Sequence, residues 1–135
     1  MSSVNLLPQP TTGQSELQLQ SDCFQWAWNT YPETRRCLWH VTNEMKPHPN
    51  ESKKNFQRRI SQAKAAGLVP GVSDLHFLWN GKLYVFELKV KRNGLTEDQK
   101  VFRDVVLMNG GAFFEIRDLE TFKTSFHHIL NSKSC

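Results

Sequence analysis

Two runs of alternating apolar residues, separated by Asn80-Gly81, predict a β-hairpin over residues 74–90. Asn-Gly between two β-rich segments favours a type I′ turn, because both residues tolerate the positive φ that this turn requires at its central positions. The turn pairs Trp79 with Lys82. Each further pair lies one residue back along the first strand and one residue forward along the second. Asp74 therefore lies opposite Glu87. A slip of one residue would move Asp74 to the other face of the hairpin.

This pairing places three charged side chains on one face. Side chains alternate along a strand, so Lys89 shares the face of Glu87 and Asp74. Two directly opposed carboxylates repel each other unless something compensates their charge, and a divalent cation is the obvious compensator. Glu87 also interrupts an apolar strand that we expect to be covered on much of both faces, where an unpaired charge is costly. The pattern predicts a metal site; the alternative is a solvated hairpin end, where two acids cost little.

The remaining pattern predicts helices and strands around the hairpin. Helices are expected where apolar residues recur every three or four positions, and two of them begin at capping-box sequences. The predicted helices span 15–30, 52–66, 96–108 and 118–130, and two further strands are predicted at 37–42 and 112–117. A helix joins the hairpin to the last strand, and such a crossover makes that strand parallel to a neighbour. We expect an α/β fold of order α-β-α-β-β-α-β-α, with a mixed sheet flanked by helices.

Length and composition favour one domain. The chain has 135 residues, of which 39% are hydrophobic and 22% charged, as in ordinary globular proteins. Residues 1–14 are polar and contain two prolines, so we predict a flexible arm followed by a single domain over 15–135. No apolar run is long enough to cross a membrane, and the start of the chain lacks a signal-peptide pattern. We therefore expect a soluble, cytoplasmic protein.

The cysteines do not indicate a disulfide framework or a zinc site. There are three of them, at positions 23, 37 and 135, and they are widely spaced without a CxxC motif. Zinc ligation by Cys37, His40 and His48 is not favoured, because the set lacks a fourth ligand and its spacing matches no common structural zinc pattern. We treat these three residues as ordinary.

Positive charge is concentrated in the middle of the chain. The net charge is +4, and residues 51–103 carry eleven Lys and Arg against five Asp and Glu. This excess suits a polyanion, with nucleic acid as the first candidate. A solvated basic helix face is, however, also common in proteins that bind no nucleic acid. The densest basic residues lie on the predicted second helix and just after the acidic strand: Lys53, Lys54, Arg58, Arg59, Lys64, Lys91 and Arg92.

These motifs resemble those of a nuclease superfamily. Gly-x-Ser-Asp at 71–74, the hairpin, Glu-Leu-Lys at 87–89 and Gln99 at a helix start look like the PD-(D/E)XK pattern. The stretches AGLVPGVSDL, LYVFELKVKRNGLTEDQ and LMNGGAFFEIRDLE are similar to the virus-type replication-repair nuclease (VRR-NUC) branch. Ser73 stands where the family pattern has proline. The resemblance implies a restriction-endonuclease-like fold.

The resemblance also implies a role for each residue of the hairpin site. Asp74 and Glu87 would be metal-binding carboxylates, and the main-chain carbonyl of Leu88 would be a further ligand. Lys89 would orient or help to deprotonate the attacking water and would stabilise charge on the phosphate.

Two residues outside the hairpin match the family pattern but have structural alternatives. Glu16 on the first helix matches an acid that the family often adds as another metal ligand, and Gln99 matches a glutamine of the helix after the ExK motif. Favourable interaction with the helix dipole explains Glu16 equally well, and a capping role explains Gln99.

The expected function is metal-dependent cleavage of DNA by an endonuclease. Phosphodiester hydrolysis needs an activated water and neutralisation of charge on the phosphoryl oxygens, and carboxylate-held Mg²⁺ supplies both. Mn²⁺ is expected to substitute for Mg²⁺. Compact members of the family imply a homodimer acting on branched or junction DNA in replication, repair or recombination.

Two other classes of function stay open at this stage. One is a non-catalytic nucleic-acid-binding module on the same fold, and the other is a protein-interaction subunit that uses its aromatic surface. The four tryptophans suit a core, an interface or base stacking, with the core favoured at helix and strand spacing. They are Trp26, Trp28, Trp39 and Trp79.

Overall fold

The computed structural model describes residues 14–42 and 45–132, so residues 1–13 of the predicted arm, as well as Cys135, lie outside the described ranges. The helices in these ranges are α1 (Glu16–Thr30), α2 (Lys53–Ala65), α3 (Glu97–Met108) and α4 (Leu119–Asn131), with a 3-10 turn at Pro32–Thr34. The strands are β1 (Leu38–His40), β2 (Leu75–Trp79), β3 (Lys82–Leu88) and β4 (Ala112–Ile116). Within the described ranges, no helix has the length and apolar character needed to span a membrane.

The strands form one mixed sheet in the order β1-β2-β3-β4. β2 pairs antiparallel with both β1 and β3, whereas β4 pairs parallel with β3. The parallel pair is joined through α3, which is the crossover that such a pair requires. The predicted α/β class with a mixed sheet is confirmed.

The hairpin has the predicted register. Trp79 lies opposite Lys82 beside the turn, and the ladder continues without a bulge to Leu75. The two turn residues, at positions 80 and 81, have φ values of 50° and 80°, the positive values that a type I′ turn requires. Asp74 directly precedes β2, so the same register carries it to the position beside Glu87.

The main core lies between one face of the sheet and the helices α1 and α4. Phe77 of β2 and Phe86 of β3 are fully buried, and the ring of Phe126 from α4 lies 4.6 Å from that of Phe77. α3 lies on the opposite face, where Phe102 stacks on His76 at a ring separation of 6.0 Å. The two faces of the hairpin are therefore both covered.

The tryptophans divide between the core and the surface. Trp26 packs edge-on against Phe122 of α4, and Trp79 is partly buried against the same core. Trp28 and Trp39 are 39% and 38% exposed. The core accounts for two of the four, and the other two are free to contact a ligand or a partner.

Replacing Gly81 by Ala tests the turn that sets the register. A side chain at this position meets no neighbouring atom, so the cost is the left-handed backbone alone, roughly 1–2 kcal/mol of the free energy of unfolding. Urea unfolding of both variants measures it. Gly94→Ala is the control, because Gly94 also faces open space but does not have a positive φ. An equal loss of stability in the two variants would contradict the assignment of the turn.

Candidate active site

Asp74 and Glu87 face each other at the open end of the hairpin. Asp74 Oδ2 accepts a hydrogen bond of 2.8 Å from the backbone N–H of Leu88, which fixes this carboxyl group over the end of β3. The carboxyl group of Glu87 lies within hydrogen-bonding reach of it. Glu87 is only 2% exposed, so the alternative of two acids at a solvated hairpin end does not describe this pair.

The main chain of Asp74 is fixed from the neighbouring strand. Its carbonyl oxygen accepts the backbone N–H of Val41 at 3.0 Å and contacts Nδ1 of His40 at 2.9 Å. Both residues lie at the end of β1. The edge strand therefore positions one of the two acids, which the sequence motif does not reveal.

Gln99 connects the start of α3 to Glu87. Its backbone N–H donates to Thr96 Oγ1 at 3.2 Å, and its side-chain Oε1 accepts from the backbone N–H of Thr96 at 2.9 Å. The remaining side-chain group, Nε2, donates to Glu87 Oε2 at 3.2 Å. Gln99 thus completes the predicted capping box and holds a site carboxylate with the same amide.

Lys89 and the Leu88 peptide complete the site. Lys89 is 5% exposed, and its ammonium group lies close enough to lower the pKa of both carboxyl groups. The backbone N–H of Lys89 donates to Ile116 O at 2.9 Å in β4. Because the N–H and C=O of a trans peptide point in opposite directions, the Leu88 carbonyl points away from β4, toward the Asp74 side.

Burial and mutual repulsion oppose ionisation of the acid pair. Burial, followed by the charge of Asp74, raises the pKa of Glu87 from its ordinary 4.5 to about 9, and Glu16 adds to this effect. Burial also raises the pKa of Asp74, although the N–H of Leu88 opposes that shift. The pair therefore binds a proton, or another positive charge, more strongly than two separate carboxylates would.

One oxygen of this pair has no partner. Glu87 Oε1 is buried and makes no hydrogen bond within the described part of the chain. Two ionised carboxyl groups offer acceptors only, so Asp74 cannot satisfy it unless one of them is protonated. An unsatisfied carboxylate oxygen facing a second carboxyl group, with a backbone carbonyl directed to the same side, fits a hard cation that prefers oxygen ligands.

Glu16 lies at the rim of the same site. Glu16 and Asp74 line a surface cleft of about 440 Å³ between the start of α1 and the end of β1. Across the ranges 14–42 and 45–132, no three His, Cys, Asp or Glu side chains form a group that would hold a metal ion. Glu16 therefore does not close a three-carboxylate cluster with Asp74 and Glu87, and its role as a ligand stays a prediction.

No protein-family model, no curated protein and no solved structure matches this chain. The resemblance to the VRR-NUC family therefore stays a prediction from motifs.

The predicted basic residues lie on two exposed segments. α2 has no buried residue, and Lys53, Lys54, Arg58 and Lys64 are exposed on it. Arg59 is engaged differently, since its guanidinium donates to Glu51 at 2.7 Å and to the Lys46 carbonyl at 3.0 Å. It fastens the loop that carries Lys46, which lines the Asp74 cleft.

The second basic segment follows β3. Lys91 and Arg92 are exposed there, and the loop is held by Arg117, which donates to the carbonyls of Lys91 and Asn93 at 3.2 and 2.6 Å. Arg117 is a positioning residue that the motifs did not single out. Its location two residues after Glu115 on the parallel strand is the only signal that sequence offers.

Gly71→Ala is expected to displace the start of α3, which carries Gln99, and so to alter the site indirectly. A Cβ at Gly71 would lie 2.3 Å from the backbone of Asp98 and 2.7 Å from the backbone nitrogen of Gln99, so the start of α3 has to move. We expect a loss of about 1–3 kcal/mol in the free energy of unfolding, typical of overpacking, together with loss of the Gln99 to Glu87 hydrogen bond. Gly67→Ala is the control, since Gly67 has a positive φ but open space around it. Equal unfolding midpoints for both variants would contradict the close approach.

The stability of metal-free protein is expected to fall as pH rises from 4.5 to about 9, the interval between the ordinary pKa of Glu87 and its raised value. In this interval the folded state holds a proton that the unfolded state has released, so the stabilisation present below 4.5 is lost as pH rises through the folded-state pKa. One proton gives a slope of at most about 1.4 kcal/mol per pH unit. Urea unfolding with a chelator at several pH values measures it.

The matched variants for this titration are Glu87→Gln and Glu97→Gln. Glu87→Gln should remove the contribution of this proton and stabilise the metal-free protein at high pH. Glu97, whose side chain is 90% exposed, controls for loss of one surface charge and should leave the slope unchanged. An unchanged slope in Glu87→Gln would show that the proton resides elsewhere.

Proposed function

We propose that this protein is a metal-dependent nuclease that hydrolyses phosphodiester bonds of DNA. The observation that carries the proposal is the buried, unpartnered Oε1 of Glu87 opposite Asp74, beside the buried Lys89. A scaffold gains nothing from such an arrangement, whereas a cation site needs it. The two exposed basic segments supply the reason for a polyanionic substrate.

Charge balance supports a divalent cation at the acid pair. Asp74 and Glu87 contribute two negative charges when ionised, and Lys89 contributes one positive charge, which leaves an excess of one negative charge. The phosphate of a bound phosphodiester would add another. Mg²⁺ would be held by Asp74, Glu87 and the Leu88 carbonyl, with Mn²⁺ as a substitute. When bound, it would polarise the phosphoryl oxygen and lower the pKa of a bound water.

The chain's own residues would prepare the reacting groups. Leu88 N–H and Gln99 Nε2 each hold one oxygen of a carboxyl group, which leaves the other oxygen of each for the cation. Lys89, held in a buried position, would orient the attacking water or stabilise charge on the phosphate as a compact cation. Because the Lys89 side chain is already buried and restricted, substrate binding would not have to order it.

The basic segments would bind the DNA backbone. Lys53, Lys54, Arg58 and Lys64 on α2, with Lys91 and Arg92 after β3, are exposed and would contact phosphates without reading base sequence. Arg59 would act through the loop that it fastens. On the motif resemblance we further propose branched DNA as the preferred substrate and a homodimer as the active form.

The surface of α3 is the feature that favours a subunit contact. Val101, Val105 and Met108 lie along one side of this helix and are 62%, 50% and 84% exposed. An apolar stripe of this kind is typical of interaction surfaces. It is compatible with the proposed homodimer, in which two active sites would act on one branched substrate.

A non-catalytic DNA-binding module is the second candidate function. The exposed basic residues of α2 favour this candidate, because they are separate from the acid pair. Binding of the DNA backbone by α2 would therefore not require Asp74 or Glu87. Such a module would bind DNA with a steep dependence on salt. Replacing either acid would leave that binding intact or strengthen it by relieving repulsion.

Cleavage of linear, nicked and four-way-junction DNA in Mg²⁺ or Mn²⁺ tests the proposal. Asp74→Ala, Glu87→Ala and Lys89→Ala are each expected to reduce the rate by at least about 100-fold, the scale of removing a group that acts on the transition state. Loss of cleavage in these three variants excludes a contaminating nuclease, and Glu97→Ala, which removes an exposed acid from α3, should cut at the wild-type rate. Tight DNA binding without cleavage of any substrate would overturn the enzyme and leave the binding module.

Thermal unfolding supplies a readout of the metal that does not depend on turnover. Mg²⁺ should raise the unfolding temperature of the wild type, because a ligand bound only by the folded state stabilises it. The same addition should not raise that of Glu87→Gln. Equal shifts in both proteins would place the cation elsewhere.

A further inference from the structure

A second cleft continues from the candidate active site along the interface of α1 and β1. It has a volume of about 310 Å³ and shares Gln20 and His40 with the cleft that contains Asp74 and Glu16. The two clefts therefore adjoin each other at these two residues. Of the residues that line this second cleft, only His40 has a role in the candidate active site, where it contacts the main chain of Asp74.

The cleft combines an apolar floor with polar side chains around it. Leu38 and Leu75 are buried beneath it, and the half-buried ring of Phe24 forms one wall. Gln20 and Gln25 from α1 also line it and carry amide groups that can donate and accept hydrogen bonds. A flat, apolar group with hydrogen-bonding edges fits this combination, and a nucleobase is such a group.

Positive charge lies in two cavities that adjoin the cleft. Lys46 lines the one that contains Asp74. Arg35 lines a crevice that shares Phe24 and Leu38 with the cleft, and its guanidinium lies 5.0 Å from the ring of Trp28. A nucleotide chain that placed one base in the cleft would have its flanking phosphates directed toward these two cations.

We propose that this cleft binds an unpaired nucleobase next to the scissile phosphate, so that the substrate is single-stranded DNA or the unpaired arm of a branched DNA. The inference rests on the proposed function and gives it a substrate class. Bases within a duplex are stacked and paired, so their faces cannot reach a pocket of this kind. An unpaired base exposes both its ring face and its hydrogen-bonding edge.

Comparing an oligothymidylate with an all-abasic oligonucleotide of equal length tests the inference. The two ligands carry the same backbone charge and differ only in the bases, and Ca²⁺ replaces Mg²⁺ so that binding is measured without cleavage. We expect the wild type to bind the oligothymidylate about 5- to 100-fold more tightly, the range that base–aromatic stacking gives for one base. A blunt duplex provides the reference for backbone binding.

Two matched variants assign the effect to the cleft. Phe24→Leu removes one of the aromatic rings that line it, the other being that of Trp39, but keeps an apolar side chain against the core. Phe113→Leu makes the same substitution at a half-buried ring of β4 that does not line the cleft. Phe24→Leu is expected to lower the ratio of the two dissociation constants by about 5-fold or more. Phe113→Leu should retain the wild-type ratio, and neither variant should change binding of the duplex.

Any other pattern of dissociation constants would overturn the inference. A wild-type ratio near one, or no binding of either oligonucleotide, would show that no base is held. A ratio that persists in Phe24→Leu, or is lost equally in both variants, would place the base elsewhere. The proposed function is tested separately. Metal-dependent cleavage without base discrimination would contradict only the base-binding cleft. Base discrimination without cleavage would contradict only the proposed nuclease activity.

Discussion

The central constraint on this molecule is the charge of two carboxyl groups held face to face at the end of a buried hairpin. Glu87 is almost fully removed from solvent and lies opposite Asp74, and one of its oxygens has no partner within the described residues. In a low-dielectric environment, repulsion between such groups is much stronger than at the surface. The folded state is therefore tied to whatever positive charge the pair can acquire, whether a proton, the neighbouring Lys89 or a cation.

The surrounding elements hold this pair in place from three directions. β1 binds the main chain of Asp74 from the sheet edge, the start of α3 binds Glu87 through Gln99, and the backbone of β3 binds the Asp74 carboxyl group. Each contact uses one polar group and leaves the facing oxygens available. Rigid support of this kind is what a binding constellation needs, because small errors in position cost much of its affinity or rate.

The sequence predicted the hairpin and its acid pair because both follow from local geometry. Asn80-Gly81 admits one turn type, that turn permits one register, and the register determines which residues face each other. The Thr96 and Gln99 capping box was predictable for the same reason, since its partners are three residues apart. Capping motifs and apolar periodicity also predicted the ends of the other helices and strands to within two or three residues.

What the sequence did not predict are contacts between residues far apart in the chain. His40 contacts Asp74 across 34 positions, and Arg117 reaches Lys91 across 26. The close approach of Gly71 to α3 depends on a loop path that no short motif specifies. The second function of Gln99 was likewise hidden, because its capping role already explained its presence at a helix start.

The distribution of unsatisfied polar atoms separates the site from the scaffold. In the described ranges, the buried side-chain atoms without a partner belong to Ser73, His76 and Glu87. Ser73 adjoins Asp74 in the chain, and His76 occupies the next position along the same face of the hairpin. Native folds satisfy nearly all buried polar groups, so a cluster of exceptions around one acid pair costs stability that packing elsewhere must offset. The main core of phenylalanine and leucine supplies that packing on the opposite face of the same hairpin, and one pair of strands thus carries both the stabilising face and the face that holds the acid pair.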